Sequence, residues 1–240
     1  MSDSKQKKEK EEWSFNTFAW ADEQKLPGFG KLLNSWLQVH KNYCNGCRPE
    51  NSWENDFKEW SQVGFLSNAG VLVGGIALEE WGIEKKSASG DGRNDLFLRL
   101  PTLNSTQDYF IEAKLGNIDL LQSQSNWAEK LSEVMGNAIK GAEQLDDPNL
   151  FKSLPTKAVA VSFFTLSFDG VDTSNLDEKT SALHNCIQAK QRVQLGLDAL
   201  ASIYFSAEDF QQNRKERNGN WNEDNELVGL ILVAKHIELA

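Results

Sequence analysis

Three ionisable residues in two neighbouring segments could act together in catalysis. Asp95 lies in the apolar-alternating segment Gly92–Arg99, and Glu112 and Lys114 lie in a second such segment, with a short polar stretch between the two. Side chains of a β-strand alternate between its faces, so Glu112 and Lys114 point the same way if their segment is a strand. The spacing therefore predicts an acid and a lysine side by side.

The short polar loop from Pro101 to Thr106 predicts how these two strands pair. If Leu100 lies opposite Gln107 in an antiparallel hairpin, the same register places Asp95 opposite Glu112. Directly opposite residues have Cβ atoms about 5 Å apart. The register thus predicts two carboxylates and one ammonium on a single patch of the sheet.

Few reactions suit such a patch. Two nearby carboxylates raise each other's pKa unless a cation lies between them. Hard divalent ions such as Mg²⁺ bind carboxylate oxygens and often share their site with a substrate phosphate. The ammonium of Lys114 could orient or deprotonate a water molecule, or neutralise charge on the phosphorus centre. Metal-assisted displacement on a phosphodiester fits this set of groups; the alternative is a surface hairpin with a cross-strand salt bridge, which stabilises little.

The segment GRNDLFLRL followed by YFIEAKLG resembles the PD-(D/E)xK nuclease superfamily, whose fold is restriction-endonuclease-like. The resemblance covers about residues 66–168, and Asn94 stands where the name-giving proline would be. It implies an α/β fold with a mixed central β-sheet flanked by helices, and magnesium-dependent hydrolysis of DNA, with Mn²⁺ as a substitute ion. It also implies that Asp95, Glu112 and the backbone carbonyl of Ala113 hold the metal, and that Lys114 is the catalytic lysine.

Three further positions are suggested by the same resemblance. Family members often carry a metal-binding glutamate on the first core helix, and Glu80 is the preferred candidate here, ahead of Glu79 and the more remote Glu54. Gln144 resembles a glutamine that some families place on the second helix, and Arg93 could contact a phosphate. The alternatives are a solvated helix-end acid, an exposed helix glutamine and a turn arginine.

The rest of the sequence predicts the order of elements expected of such a core. Apolar residues at helical spacing predict a helix between Gly116 and the Asp-Asp-Pro sequence that ends at Pro148. Residues 158–168 and 227–237 are nearly continuous apolar runs, which is typical of strands covered on both faces. Residues 174–205 are predicted to form a second long helix, and residues 211–225 a surface loop.

Three regions follow from this order. Residues 1–13 are predicted to be a disordered charged tail, residues 14–65 a helical N-terminal subdomain, and residues 66–240 the nuclease-like core. Five of the eight tryptophans lie before residue 61. Their ordinary role would be to pack a helical cap against the sheet, although exposed aromatic rings there could stack on bases.

Composition limits the partners that the protein can have. No apolar run approaches the roughly 18 residues of a membrane span, and three cysteines do not suit a secreted disulfide scaffold, so a cytoplasmic location is expected. The net charge of −10 opposes nonspecific binding to nucleic acid. A homodimer or a protein partner that supplies DNA contacts is therefore one expectation. The alternative functions are a catalytically inactive acidic interaction protein on the same fold, and a ribonuclease or toxin-like nuclease.

A zinc site is a weaker alternative in the N-terminal region. Cys44 and Cys47 form one C-x2-C pair, and His40 precedes the pair by four residues. Structural zinc sites usually need two such pairs. His40 also falls on the apolar face of a predicted helix, where a buried structural histidine is the common outcome.

Overall fold

A computed structural model describes residues 13–46, 58–83, 92–144, 156–168, 173–216 and 226–238. The fold is α/β, with one seven-stranded mixed sheet in the order β1-β6-β7-β5-β4-β3-β2. The strands are β1 Phe15–Ala21, β2 Ile76–Ile83, β3 Gly92–Pro101, β4 Thr106–Asp119, β5 Thr156–Phe168, β6 Ala199–Phe205 and β7 Glu226–Ile237. The α-helices are α1 Phe29–Gly46, α2 Glu59–Leu72, α3 Gln124–Glu143, α4 Leu176–Cys186, α5 Arg192–Leu195 and α6 Ala207–Glu216.

The predicted hairpin of β3 and β4 is confirmed, including its register. Leu100 pairs with Gln107, and the ladder continues to Leu96 opposite Ile111. The leucines at alternate positions of β3 are fully buried on one face of the sheet. The register is set by this alternation, because a slip by one residue would turn the leucines to the other face.

Helices cover both faces of the sheet at β4. The ring of Tyr109 packs edge-on against Phe29 of α1, with the ring centroids 4.9 Å apart. Gly116, an odd number of residues further along β4, lies against Val134 of α3. Because side chains alternate along a strand, α1 and α3 lie on opposite faces. Strand β4 therefore runs through the middle of a three-layer core.

Strands β5 and β7 confirm the buried strands predicted from the two apolar runs. Strand β5 pairs in parallel with β4 and antiparallel with β7. A parallel pair needs a crossover connection, which α3 provides between β4 and β5. Helix α3 begins only at Gln124, because β4 continues to Asp119 past the predicted strand end at Gly116. Residues 145–155, which include Pro148, lie outside the described residues.

The prediction of one long helix over residues 174–205 is wrong. Helix α4 ends at Cys186, a π-helical turn and the short α5 follow, and Gly196 ends them with a left-handed φ of 61°. The next residues form β6, which is buried along its whole length. A short apolar run that is covered on both faces has no period to separate strand from helix, so the sequence pattern could not locate this change.

Residues 14–65 do not form the predicted helical subdomain. Strand β1 pairs antiparallel with β6 at one edge of the common sheet, with Phe15 opposite Phe205. Residues Phe18 to Ala21 alternate between aromatic and small side chains, which suits a strand better than a helix. The predicted tail lies outside the described residues except for Trp13, and the predicted loop over 211–225 begins as helix α6, which continues to Glu216. None of the described helices is both long and apolar enough to cross a membrane.

His40 is a buried core residue. Its ring contacts Trp36 and Phe65, with both centroid distances 4.5 Å, and none of its surface is exposed. Cys44 is also buried, and Cys47 lies outside the described residues. Burial lowers the pKa of His40 to about 3, against a weaker opposing effect of its hydrogen bond with Gln62. The imidazole is therefore neutral at pH 7, in keeping with a structural histidine.

This lowered pKa predicts a loss of stability in acid. Between the unfolded pKa near 6.5 and the folded pKa, the unfolded chain binds a proton that the folded chain does not, so stability falls as pH falls. We expect His40 to lower the free energy of unfolding by about 2 kcal/mol between pH 7 and pH 5. Urea unfolding of wild type and His40→Gln across this range measures the difference. Parallel pH profiles for the two proteins would contradict the assignment.

Candidate active site at the fork between β3 and β4

Asp95 lies where β3 separates from β4 and where its pairing with β2 is interrupted by one residue pair. The β3–β4 ladder ends at Leu96 opposite Ile111, one pair before Asp95 would face Glu112. On the other side the β2–β3 register passes from Glu79 opposite Leu96 to Trp81 opposite Asn94. Glu80, which would face Asp95, has a left-handed φ of 50°. The predicted approach of Asp95 and Glu112 is thus made at a fork in the sheet rather than within a regular ladder.

Two carboxylates replace the missing ladder bonds of β4. The backbone N–H of Ala113 donates to Asp95 Oδ2 at 2.7 Å, and the N–H of Leu115 donates to Glu59 Oε2 at 3.1 Å. Buried backbone N–H groups need an acceptor, and here β3 no longer offers its carbonyls. The fork therefore fixes the Asp95 and Glu59 side chains through the backbone of the strand that carries Glu112 and Lys114.

The ammonium of Lys114 lies among four oxygens from three elements. Its Nζ is 2.7 Å from the carbonyl oxygen of Ala113 and 3.0 Å from Glu112 Oε1. It is also 3.9 Å from Asp95 Oδ2 and 4.0 Å from Glu59 Oε1. The structure thus brings together all three of the predicted catalytic residues and the predicted carbonyl. It adds one acid, Glu59, that the sequence interpretation missed.

Glu112 is held tightly by helix α3. Its side chain is only 7% exposed. Gly141 of α3 lies against it so closely that a Cβ at that position would be 2.6 Å from both Glu112 Cγ and Oε1. Atoms of a larger residue at position 141 would overlap the carboxylate. A glycine in the interior of a helix destabilises it by roughly 0.5–1 kcal/mol relative to alanine, and here it leaves room for the acid.

The electrostatic environment sets the charge state of the cluster. Burial raises the pKa of Asp95, and the hydrogen bond from Ala113 opposes that rise. For Lys114, burial lowers the pKa, but the hydrogen bond and charge of Glu112, with the charges of Asp95 and Glu59, outweigh it and leave the pKa raised. Lys114 is therefore an ammonium at neutral pH. Among these groups it can orient water or neutralise developing charge.

The predicted placement of Glu79 and Glu80 on the first core helix is wrong. Glu79 and Glu80 lie on β2 rather than on the first core helix, and Glu54 lies outside the described residues. The helix begins at Glu59, after which Val63 and Leu66 continue its buried side. The Gly74-Gly75 pair is a sequence signal for the end of this helix before the alternating segment of β2 begins.

Gln144 and Arg93 are the other two accessory candidates. Gln144 is the C-cap of α3, one turn beyond Gly141, and its side chain is exposed. Arg93 lies on β3, paired with Gly82 of β2, two residues before Asp95. Contacts of either residue with substrate stay a prediction.

The donor types at the fork fit a hard divalent cation. Mg²⁺ binds carboxylate and carbonyl oxygens, which Asp95, Glu112, Glu59 and Ala113 present. Over the described part of the chain, no group of three or more His, Cys, Asp or Glu side chains already converges as a metal cage. The ammonium of Lys114 lies between the same oxygens. A divalent ion would therefore share this position with Lys114 or replace the ammonium there.

The role of Glu59 can be measured by removing its charge alone. In Glu59→Gln the amide oxygen can still accept from the N–H of Leu115, so the fork should keep its shape. We expect Mg²⁺ affinity and any metal-dependent cleavage to fall about tenfold, the range found for residues that support metal ligands. Glu133→Gln on the exposed face of α3 is the matched control. Equal activity of the two variants would place Glu59 outside the chemistry.

No protein-family model matches this chain, and no curated protein matches it in sequence.

Proposed function

We propose that this protein is a magnesium-dependent nuclease that hydrolyses DNA phosphodiester bonds, built on a restriction-endonuclease-like fold. The observation that carries the proposal is the convergence at Lys114 Nζ, which has three carboxylates from three different elements within 4.0 Å. A solvated surface salt bridge does not need an acid from α2, a strand fork and a glycine in α3 to hold it. The order of elements around the fork is also that of the family that the sequence resembles.

The residues of the fork would have separate roles in metal binding and in catalysis. Asp95, Glu112 and the carbonyl of Ala113 would hold the ion, with Glu59 beside them. When bound, Mg²⁺ supplies a Lewis acid for the phosphoryl oxygens and lowers the pKa of a bound water. Lys114, displaced from the carboxylates, would place its ammonium beside the attacking water or the phosphate. Asp95 and Glu112 are positioned by the Ala113 N–H and by α3, so little reorganisation is needed.

A second candidate function is favoured by the charge of the chain. With a net charge of −10, the whole protein repels a polyanion. The ammonium of Lys114 already neutralises part of the negative charge of the acid cluster. An inactive interaction protein on the same fold would satisfy both observations. It would not require Gly141 to leave space for a buried Glu112.

The test is cleavage of supercoiled plasmid, linear duplex and single-stranded DNA with Mg²⁺, Mn²⁺ or EDTA. Lys114→Ala is compared with Lys130→Ala, which removes a lysine from an exposed pair with Glu133 on α3. Metal-dependent cutting by wild type and Lys130→Ala, with its loss in Lys114→Ala, is the expected result. If no substrate is cut and calorimetry detects no Mg²⁺ binding, the nuclease proposal fails and the interaction protein takes its place.

A further inference from the structure

The first turn of α2 places an exposed tryptophan beside the acid cluster. Glu59 begins the helix and reaches the fork, and Trp60 is the next residue. Consecutive Cα atoms are about 3.8 Å apart, so the backbone that carries the indole lies next to the backbone that carries Glu59. Residues 62, 63, 66, 69 and 70 form the buried side of α2, and Trp60 lies off that side.

Trp60 is far more exposed than Trp20, Trp36 and Trp127. Trp36 and Trp127 are at most 2% exposed, and Trp20 is covered by the guanidinium of Arg192. Trp60 is 69% exposed. Core packing and the Arg192 contact therefore cover these three indoles, whereas most of the Trp60 side chain lies in water. An aromatic face next to a polar cluster can stack on a planar ligand.

The negative charge of the protein indicates which kind of ligand would depend on stacking against the Trp60 ring. Nonspecific binding of nucleic acid normally rests on several lysines and arginines, whereas this chain has a net charge of −10 and three acids around Lys114. Stacking of a base on an aromatic ring contributes about 1–3 kcal/mol and does not depend on the phosphates. Stacking on Trp60 would offset the weak attraction for the DNA backbone.

We infer that Trp60 stacks on an unpaired base next to the bond to be cut, so that the substrate is DNA with unpaired nucleotides rather than continuous duplex. The inference rests on the proposed nuclease function. A base inside a duplex already stacks on both of its neighbours and offers no free face to an indole. A single strand, or an end with unpaired nucleotides, offers such a face at every position. Trp60 is thus a substrate-selecting residue of the site.

The test measures binding separately from cleavage. A fluorescent oligo(dT), the same strand annealed to oligo(dA), and the matching oligo(U) are titrated with full-length protein in EDTA, which prevents metal-dependent cutting. Wild type is compared with Trp60→Ala, Trp60→Phe and the control Val193→Ala, which removes another exposed apolar side chain. We expect Trp60→Ala to bind oligo(dT) at least tenfold more weakly. Trp60→Phe should stay within about threefold of wild type, and Val193→Ala should be unchanged.

Cleavage of the single strand and of the duplex with Mg²⁺ then separates the two proposals. Cutting of the single strand that falls with Trp60→Ala supports both. Equal binding and cutting by wild type and Trp60→Ala overturns the stacking role while the nuclease stands. Trp60-dependent binding without cutting in any metal overturns the nuclease, and with it the substrate role of Trp60. Stronger binding of oligo(U) than of oligo(dT) overturns the assignment to DNA.

Discussion

Replacing Asp95 by asparagine is expected to lower the rate of metal-dependent cleavage by at least about 10³-fold. The same change is expected to make the metal-free protein more stable. The two effects have one cause. Burial raises the pKa of Asp95, which means that its negative charge is unfavourable in the folded protein. Asparagine keeps an oxygen that can accept from the N–H of Ala113 but cannot offer the charge that a divalent ion needs. We therefore expect a higher Tm for Asp95→Asn than for wild type in the absence of metal.

Thermal unfolding in EDTA and in Mg²⁺ measures both halves of this prediction. Mg²⁺ should raise the Tm of wild type, because a ligand that binds only the folded state stabilises it, and should leave Asp95→Asn unchanged. Glu129→Gln, on the exposed side of α3, controls for loss of one negative charge. A fall in stability of Asp95→Asn in EDTA would show instead that Asp95 serves a stabilising ion pair with Lys114. The fork would then be structural.

Replacing Gly141 by alanine is the second change with a large expected effect, although this residue has no chemistry of its own. The new Cβ would lie 2.6 Å from Glu112 Cγ, so either the acid or α3 has to move. Displacing a catalytic group by about 1 Å can lower a rate about 100-fold. We expect cleavage to fall by about that factor, with an overpacking penalty of about 1–3 kcal/mol in stability.

Gly136→Ala is the matched control, because it makes the same change in the same helix with nothing within 4 Å of the new Cβ. This control should stabilise the protein by up to about 1 kcal/mol through helix propensity and leave cleavage unchanged. Plasmid cleavage and urea unfolding of the two variants compare the positions directly. Full activity in Gly141→Ala would contradict the inference that a glycine is needed at position 141 to keep Glu112 in a catalytic position.

The exposed position of Trp60 is consistent with a site in an acidic protein that has to bind a polyanionic substrate. An acidic protein that acts on a polyanion needs its attractive contacts close to the bond that it cuts. Lys114 is half-buried in the fork, and the exposed indole of Trp60 follows Glu59 on the same turn of α2. The salt dependence of DNA affinity would measure the contribution of stacking. A site that relies on stacking loses less affinity in salt than one that relies on phosphate contacts.

The local pairing at the site could be predicted from the sequence because it depends on neighbours. The period of two fixed the faces of β3 and β4, and a short loop fixed their register, so Asp95, Glu112 and Lys114 were placed together from residues less than 20 positions apart. The same reasoning placed β5 and β7, whose apolar runs are long and nearly continuous. It failed for β6, where a run that is buried on both faces has no distinguishing period.

Only the tertiary structure decided which distant groups complete the site. Glu59 is 56 positions from Leu115, and its carboxylate reaches that N–H because α2 packs across the sheet where β3 has separated from β4. Gly141 matters because α3 lies against Glu112, and β1 joins the sheet because β6 offers a free edge on the far side. Sequence periodicity describes which face of an element is buried. It does not contain the angle or distance at which two elements meet, because these depend on the packing of all the side chains between them.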